Sequence, residues 1–192
     1  MSTPHPLYPH LRAAADETAR VTRNVGADQL DLPTPATEWD VRTLANHLVL
    51  WTGHNLELRA RGESVPEAWY TRDFTAETDW QAAYAEQLDA ALAAWSAPEV
   101  WETEMPMGDA KVPAAAIAGM SIMELALHGW ELATATGQEY AVEGELGEVL
   151  LKLVTENAEL YRQFDGFAAP ADVPADAPAW HRALALSGRR PK

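Results

Sequence analysis

Apolar residues recur along this chain at alternating steps of three and four, the spacing of one face of an α-helix, in five separate stretches. The first covers about 5–24, where Leu7, Leu11, Ala14, Thr18 and Val21 form a stripe that Gly26 closes. Pro33 and Pro35 then make ADQLDLPTPATEWD a loop. The second helix starts near Thr37 or Asp40, either of which can cap it, and runs to about Arg61. Val41, Leu44, Leu48, Trp51 and Leu58 face one way on it, and Gly62 stops it. The third spans about 76–95, with Trp80, Tyr84, Leu88, Leu92 and Trp95 on one side. Residues 96–112 carry Pro98, Pro106 and Gly108 and read as a connector with at most a short strand pair. The fourth helix begins at Pro113 and ends at Gly137, its expected C-cap. The fifth covers about 145–163, with Leu146, Leu150, Leu153 and Leu160 toward the core. After Gly166, Pro170, Pro174 and Pro178 predict an extended surface tail contributing little core, with a short helix at 179–187.

Four long helices, an accessory one and connectors of ~10–20 residues predict an all-α helical bundle. It is expected to be one domain over 1–192, with an extended C-terminal tail from about 166. A bundle builds its sites from side chains on facing helices, so ligand-type residues on two apolar faces are the ones to find.

Composition narrows the chemistry. The formal charge is −15, a field that repels phosphate backbones and anionic lipid. The only basic cluster, Arg189, Arg190 and Lys192, sits at the C-terminus and reads as a solubilising tail. Nucleic-acid and membrane-surface binding are thus disfavoured. There is no cysteine, which removes disulfides, thiolate nucleophiles and cysteine-based metal sites. Any metal must take nitrogen and oxygen ligands, and any thiol must come from outside. The start, MSTPHPLYPH, has no apolar run, and no stretch reaches the ~18 residues of a membrane span. A cytoplasmic protein is expected. Eight Trp are many for 192 residues, and they suit either core or pocket.

The fourth helix carries Glu124 and His128 one turn apart on one face, among Ile117, Met120 and Leu127. A glutamate near the centre of an apolar stripe is costly to bury without a partner, and a cation shared with His128 supplies one. On the second helix His47 lies at the edge of the stripe and can provide a third ligand. His54 is two turns on, ~10 Å along the axis, too far to share the ion but placed to line a pocket mouth. Two other readings stay open on the residues alone. His47 can be a hydrogen-bonded core-edge histidine, and Glu124–His128 a surface ion pair. His5, His10 and His181 fall in terminal regions and are expected to be solvated.

Two segments resemble a known family. LPTPATEWDVRTLANHLV is similar to the start of the second helix in the mycothiol-dependent maleylpyruvate isomerase family, within the DinB/YfiT-like metalloproteins. The residues are Trp39, Val41, Arg42, Leu44 and His47. MELALHGWELATATGQ resembles its second signature through Glu124, His128, Gly129, Trp130, Glu131, Leu132, Ala133, Ala135, Thr136 and Gly137. The tail, running into LALSGRRP, looks like an uncharacterised branch, and the likeness covers about 7–190. The resemblance implies a DinB-like four-helix bundle with a divalent metal, usually zinc, on His47, Glu124 and His128. Where relatives commonly carry Asp, this chain has Glu131, whose implied role is to orient a ligand from behind. The extra C-terminal domain of maleylpyruvate isomerases is not found, so that isomerase activity is not implied.

Two histidines and a carboxylate suit zinc, nickel, iron(II) or manganese and leave a coordination position for water or substrate. The resembled family activates a low-molecular-weight thiol such as mycothiol at its ion. The expectation is therefore a metal-dependent thiol transferase or isomerase. A non-catalytic metal-binding or sensor module and a metal-free interaction bundle stand beside it. The open position should face a cleft between helices two and four, lined by some of Trp51, His54, Met120 and Trp130. Long apolar faces permit a homodimer.

Overall fold

The computed structural model describes residues 4–36 and 38–191. Thr37, the alternative cap, and Lys192 of the basic cluster lie outside the described residues. The chain is mostly helical and divides into two compact units, Met1–Tyr140 and Ala141–Lys192.

In the first unit, α1 (Tyr8–Arg23) buries Leu11, Ala14, Thr18 and Val21, four of the five residues of its predicted stripe. Leu7, the fifth, is half-buried at the helix start. His5 just before α1 is stacked on Trp101 with ring centroids 4.1 Å apart, which corrects its expected solvation. α2 (Val41–Leu48) is capped by Asp40, whose carboxylate accepts from the Thr43 N–H at 2.7 Å. Hydrogen bonds from the Thr43 side chain and backbone hold this carboxyl below its ordinary value of 3.8. Its contribution to stability is present above that value and is lost as pH falls through the folded pKa. Asp40→Ala should therefore cost about 1 kcal/mol near neutral pH, or ~2–4 °C in thermal unfolding. The deficit should vanish in acid, and a pH-independent deficit would mean that the cap is not its source.

The second helix does not continue regularly. Val49–His54 form a π-helical turn, and the Asn55 N–H reaches back to the Leu50 carbonyl. α3 (Asn55–Ala60) follows. Thr52 bonds the Leu48 carbonyl at 2.7 Å and also meets the Tyr84 hydroxyl, while Gly53 lies against the Tyr84 ring. The wide turn adds a residue and moves the buried stripe. Leu56 is buried and Leu58 only half so, while Trp51 is half-exposed, a correction to the regular wheel.

α4 (Trp80–Trp95) buries Trp80, Tyr84, Leu88, Leu92 and Trp95, all five expected. It starts four residues later than predicted, because Phe74–Ala76 form a separate 3₁₀ turn and Asp79 takes a left-handed φ of 56°. A short helix, α5 (Pro98–Trp101), leads into an antiparallel hairpin of β1 (Glu104–Met107) and β2 (Ala110–Pro113), with Met105 opposite Val112. This is the strand pair allowed in the connector. α6 (Ala114–Ala135) is buried nearly all round, with Ile122, Leu125, Ala126 and Leu132 at 0% exposure. Gly137 follows its cap at φ 70°, and the Gln138 N–H closes back on the Ala133 carbonyl at 2.8 Å. α6 packs on α1 and α2, and α4 on α1 and α3. Gly129 of α6 lies close against Thr18 of α1, where a side chain would not fit.

In the second unit, α7 (Leu146–Gln163) packs against α8 (Ala179–Leu186). α7 buries Leu146, Leu150, Val154 and Ala158 at uniform steps of four, so Leu153 is half-buried and Leu160 is 49% exposed. Leu160 was expected inside; the steps of four carry the stripe past it. Phe167, Trp180, Ala183 and Leu184 are buried too. The end of the tail is thus core, against the expectation from its prolines. The prolines shape 170–178, and the apolar residues of α8 then pack on α7. No described helix is long and apolar enough to cross a membrane.

Candidate metal centre

The pairing of α2 with α6 brings the last turn of one helix against the middle of the other. His47 comes from that last turn, and Glu124 and His128 from successive turns of α6. His47 Nε2 lies 2.8 Å from Glu124 Oε2, and His128 Nε2 lies 3.4 Å from the same oxygen. One ligand atom from each falls within 4.8 Å of the others. Their side chains are 23%, 27% and 15% exposed, so the triad sits at the edge of the core with one side reachable. Ligands at ~2.1 Å around a tetrahedral ion stand about 3.4 Å apart, so the donor set fits a divalent cation with modest relaxation.

Glu131 stands behind His128. The His128 Nδ1–H donates to its Oε2 at 2.6 Å, and the carboxylate is only 4% exposed. That bond leaves Nε2 as the nitrogen facing the triad.

Without an ion, the charges settle among themselves. Burial alone would raise the Glu124 pKa, but hydrogen bonds and charge from His128 and His47 outweigh it and hold the carboxyl well below its usual range. Burial alone would lower that of His128, but Glu124 and Glu131 on either side push it up to about 9. A proton on His128 therefore does locally what a cation would do.

Trp39, in the loop before α2, was not singled out as a site residue. Its ring centroid is 4.8 Å from that of His47 and 5.5 Å from that of His128, and the two imidazoles are 4.9 Å apart. Its place in the W-x-V-R motif eight residues before His47 was the available signal.

A cleft of about 390 Å³ opens beside His47. Trp39, His47 and Trp51 line one side, and Trp69, Tyr70 and Arg72 of the connector between α3 and α4 line the other. The connector is pinned to α2. Asn46 accepts from the Phe74 N–H at 2.6 Å and donates to Asp73 at 2.9 Å, and Arg42 lies 3.5 Å from Asp73. The cleft is therefore walled by a connector rather than by α6. Of the expected lining, Trp51 is present. His54 packs on Trp69 and Phe74, at 4.7 and 5.3 Å between ring centroids, and burial lowers its pKa. Met120 and Trp130 are half-buried and are not among the cleft's walls. The aromatics of the connector, half-buried Trp69 and exposed Tyr70 in a polar stretch, were the overlooked signal.

Residues 11–133 match the family model described as the mycothiol maleylpyruvate isomerase N-terminal domain. Two uncharacterized proteins from two strains of Mycobacterium tuberculosis are each 31% identical over 195 residues, covering 96% of this chain and 97% of the relative. No solved structure matches the chain significantly.

Proposed function

The chain belongs to the mycothiol maleylpyruvate isomerase N-terminal domain family, and from that premise we propose a divalent-metal-binding protein that uses an external thiol. In this reading it is a metal-dependent transferase whose cosubstrate is a low-molecular-weight thiol such as mycothiol. His47, Glu124 and His128 hold the ion, zinc before nickel, iron(II) or manganese. When bound, the ion favours the thiolate form of a thiol brought next to it. The chain's own residues do the rest. Glu131 fixes the His128 tautomer, the two imidazoles and Glu124 supply the donor atoms, and the cleft beside His47 receives the organic partner. A chain without cysteine offers no competing thiol, and a cytoplasmic setting keeps such thiols reduced. The fold proposed for this domain is a DinB-like four-helix bundle of α1, α2 with α3, α4 and α6, supported by the packing of α6 on α1 and α2 and of α4 on α1 and α3. The reading of 1–192 as one such domain belongs to the same proposal.

The observation that carries the proposal is the convergence of two imidazoles and a carboxylate from two helices on one point, with a buried carboxylate behind one of them. A second reading, an ion held without catalysis, draws on Trp39, whose ring lies over both imidazoles.

Titration of the ion-free protein with cobalt tests the site. His128 must lose its proton to ligate, and its pKa of about 9 lies above neutrality. Uptake at pH 7 should therefore release about one proton, and apparent affinity should rise about tenfold per pH unit toward pH 9. Ion-free stability should move oppositely. The His128 contribution is full below its ordinary 6.5 and is lost as pH rises through about 9. The Glu124 contribution is present above its ordinary 4.5 and is lost as pH falls through its depressed folded pKa. Cobalt uptake without proton release, or no uptake, would remove the triad as the site. A sulfur-to-cobalt charge-transfer band on adding small thiols favours the transferase, and its absence favours the non-catalytic ion.

A further inference from the structure

His128 is held at its outer nitrogen by Glu131, but no described residue bonds the corresponding Nδ1 of His47. What His47 touches instead is an indole. The rings of Trp39, His47 and His128 form a closed triangle with centroid separations of 4.8, 5.5 and 4.9 Å. Trp39 is tilted 44° to His47 and 28° to His128. The indole thus touches a ring from each helix that supplies a ligand.

Its backbone is pinned. The Trp39 carbonyl accepts from the Thr34 N–H at 3.2 Å and the Thr34 hydroxyl at 2.8 Å, and the Trp39 N–H donates to the Ala36 carbonyl at 2.8 Å. Pro33 bridges Asp40, the residue that caps α2. The loop is therefore keyed to the helix carrying His47, and the indole is placed by the same geometry that starts that helix. Trp39 also lines the cleft, which Glu124 and His128 do not. It shares that wall with His47, the one triad residue that also lines the cleft.

We propose that Trp39 is a positioning and size-selecting residue of the triad. Its ring holds His47 in the ligating orientation and narrows the cleft beside it, so it limits the bulk of the thiol that reaches the donor atoms. This rests on the metal reading above. The role is one of packing, because the indole offers no ligand atom. An aromatic ring of smaller area should keep the orientation while loosening the wall, and removing the ring should forfeit both.

Cobalt binding is measured by competition with a chelator for the wild type, W39F and W39A. Visible spectra of the loaded proteins are then titrated with mercaptoethanol and with glutathione, a small and a bulky thiol. W39A should bind cobalt about 10–100-fold more weakly than the wild type, the usual cost of losing a residue that orients a ligand. W39F should recover most of that affinity. At saturating cobalt, the preference for mercaptoethanol over glutathione should shrink in the order wild type, W39F, W39A. If W39A does not fold, Trp39→Leu takes its place, since it keeps apolar bulk without the flat ring. Variants with wild-type cobalt affinity and an unchanged thiol preference would overturn the proposal. A wild type that binds no cobalt overturns the metal reading first, and this inference with it.

Discussion

His128→Ala should lose the bound ion, with affinity reduced at least about a hundredfold, and should also destabilise the ion-free protein by about 3 kcal/mol. The two losses have different sources. The metal is lost because one of three donors is gone. The stability is lost at Glu131, whose carboxylate is 4% exposed and gives up its 2.6 Å bond to the His128 Nδ1–H. Glu124 suffers less, because it is 27% exposed and keeps His47 at 2.8 Å. For a chain of this length the deficit corresponds to about 10 °C in thermal unfolding. His128→Gln separates the effects. A glutamine amide can still donate toward Glu131, so stability should partly return while metal affinity does not. Metal analysis and calorimetry on the two variants check both, and unchanged metal content in His128→Ala would sink the ligand assignment.

Gly129→Ala should be nearly as damaging, although it removes no functional group. A methyl there would run into Cε2 of Tyr140 and lie 2.8 Å from the Thr18 hydroxyl and 3.1 Å from Tyr140 Cζ. Neither neighbour can step aside easily. Thr18 bonds the Ala14 carbonyl at 2.8 Å and the Leu125 carbonyl at 3.0 Å, and its hydroxyl lies 3.0 Å from that of Tyr140. Both side chains are buried, so α1 and α6 must part. An overpacking cost of about 3 kcal/mol is expected. Because His128 is the residue just before it on α6, metal affinity should fall too, though less than in His128→Ala. The cost should shrink in a Tyr140→Leu background, which removes the obstructing ring. An equal cost in both backgrounds would show that the contact is not its cause.

Much of the helical layout was legible because helices are made by local forces. The stripe of α4 and most of that of α1 follow from steps of three and four alone, as does the placing of Glu124 and His128 one turn apart. The Asp40 cap and the Gly137 stop are likewise decided within a few residues. The absence of cysteine limited the donors to nitrogen and oxygen before any fold was known. Those same rules erred where a neighbour intervened. Leu58 and Leu160 were placed inside by counting turns. Thr52 and Gly53 against Tyr84 accompany a π turn that shifts the stripe to Leu56, and the steps of four in α7 run past Leu160.

α6 was the least informative stretch to read as a wheel, since it is apolar almost all round and a stripe has no direction there. Tertiary packing decided that its Glu124 edge meets the last turn of α2, so that His47, 77 residues earlier, closes the triad while His54 turns to Trp69. It also decided that the cleft is closed by the connector before α4, where the wheel had placed α6, and that Trp39 returns over both imidazoles. Hydrogen-bond spacing along a chain carries which residues share a helical face. Which faces meet depends on how small residues such as Gly129 let whole helices approach, and that sum over distant contacts is not written in any local window.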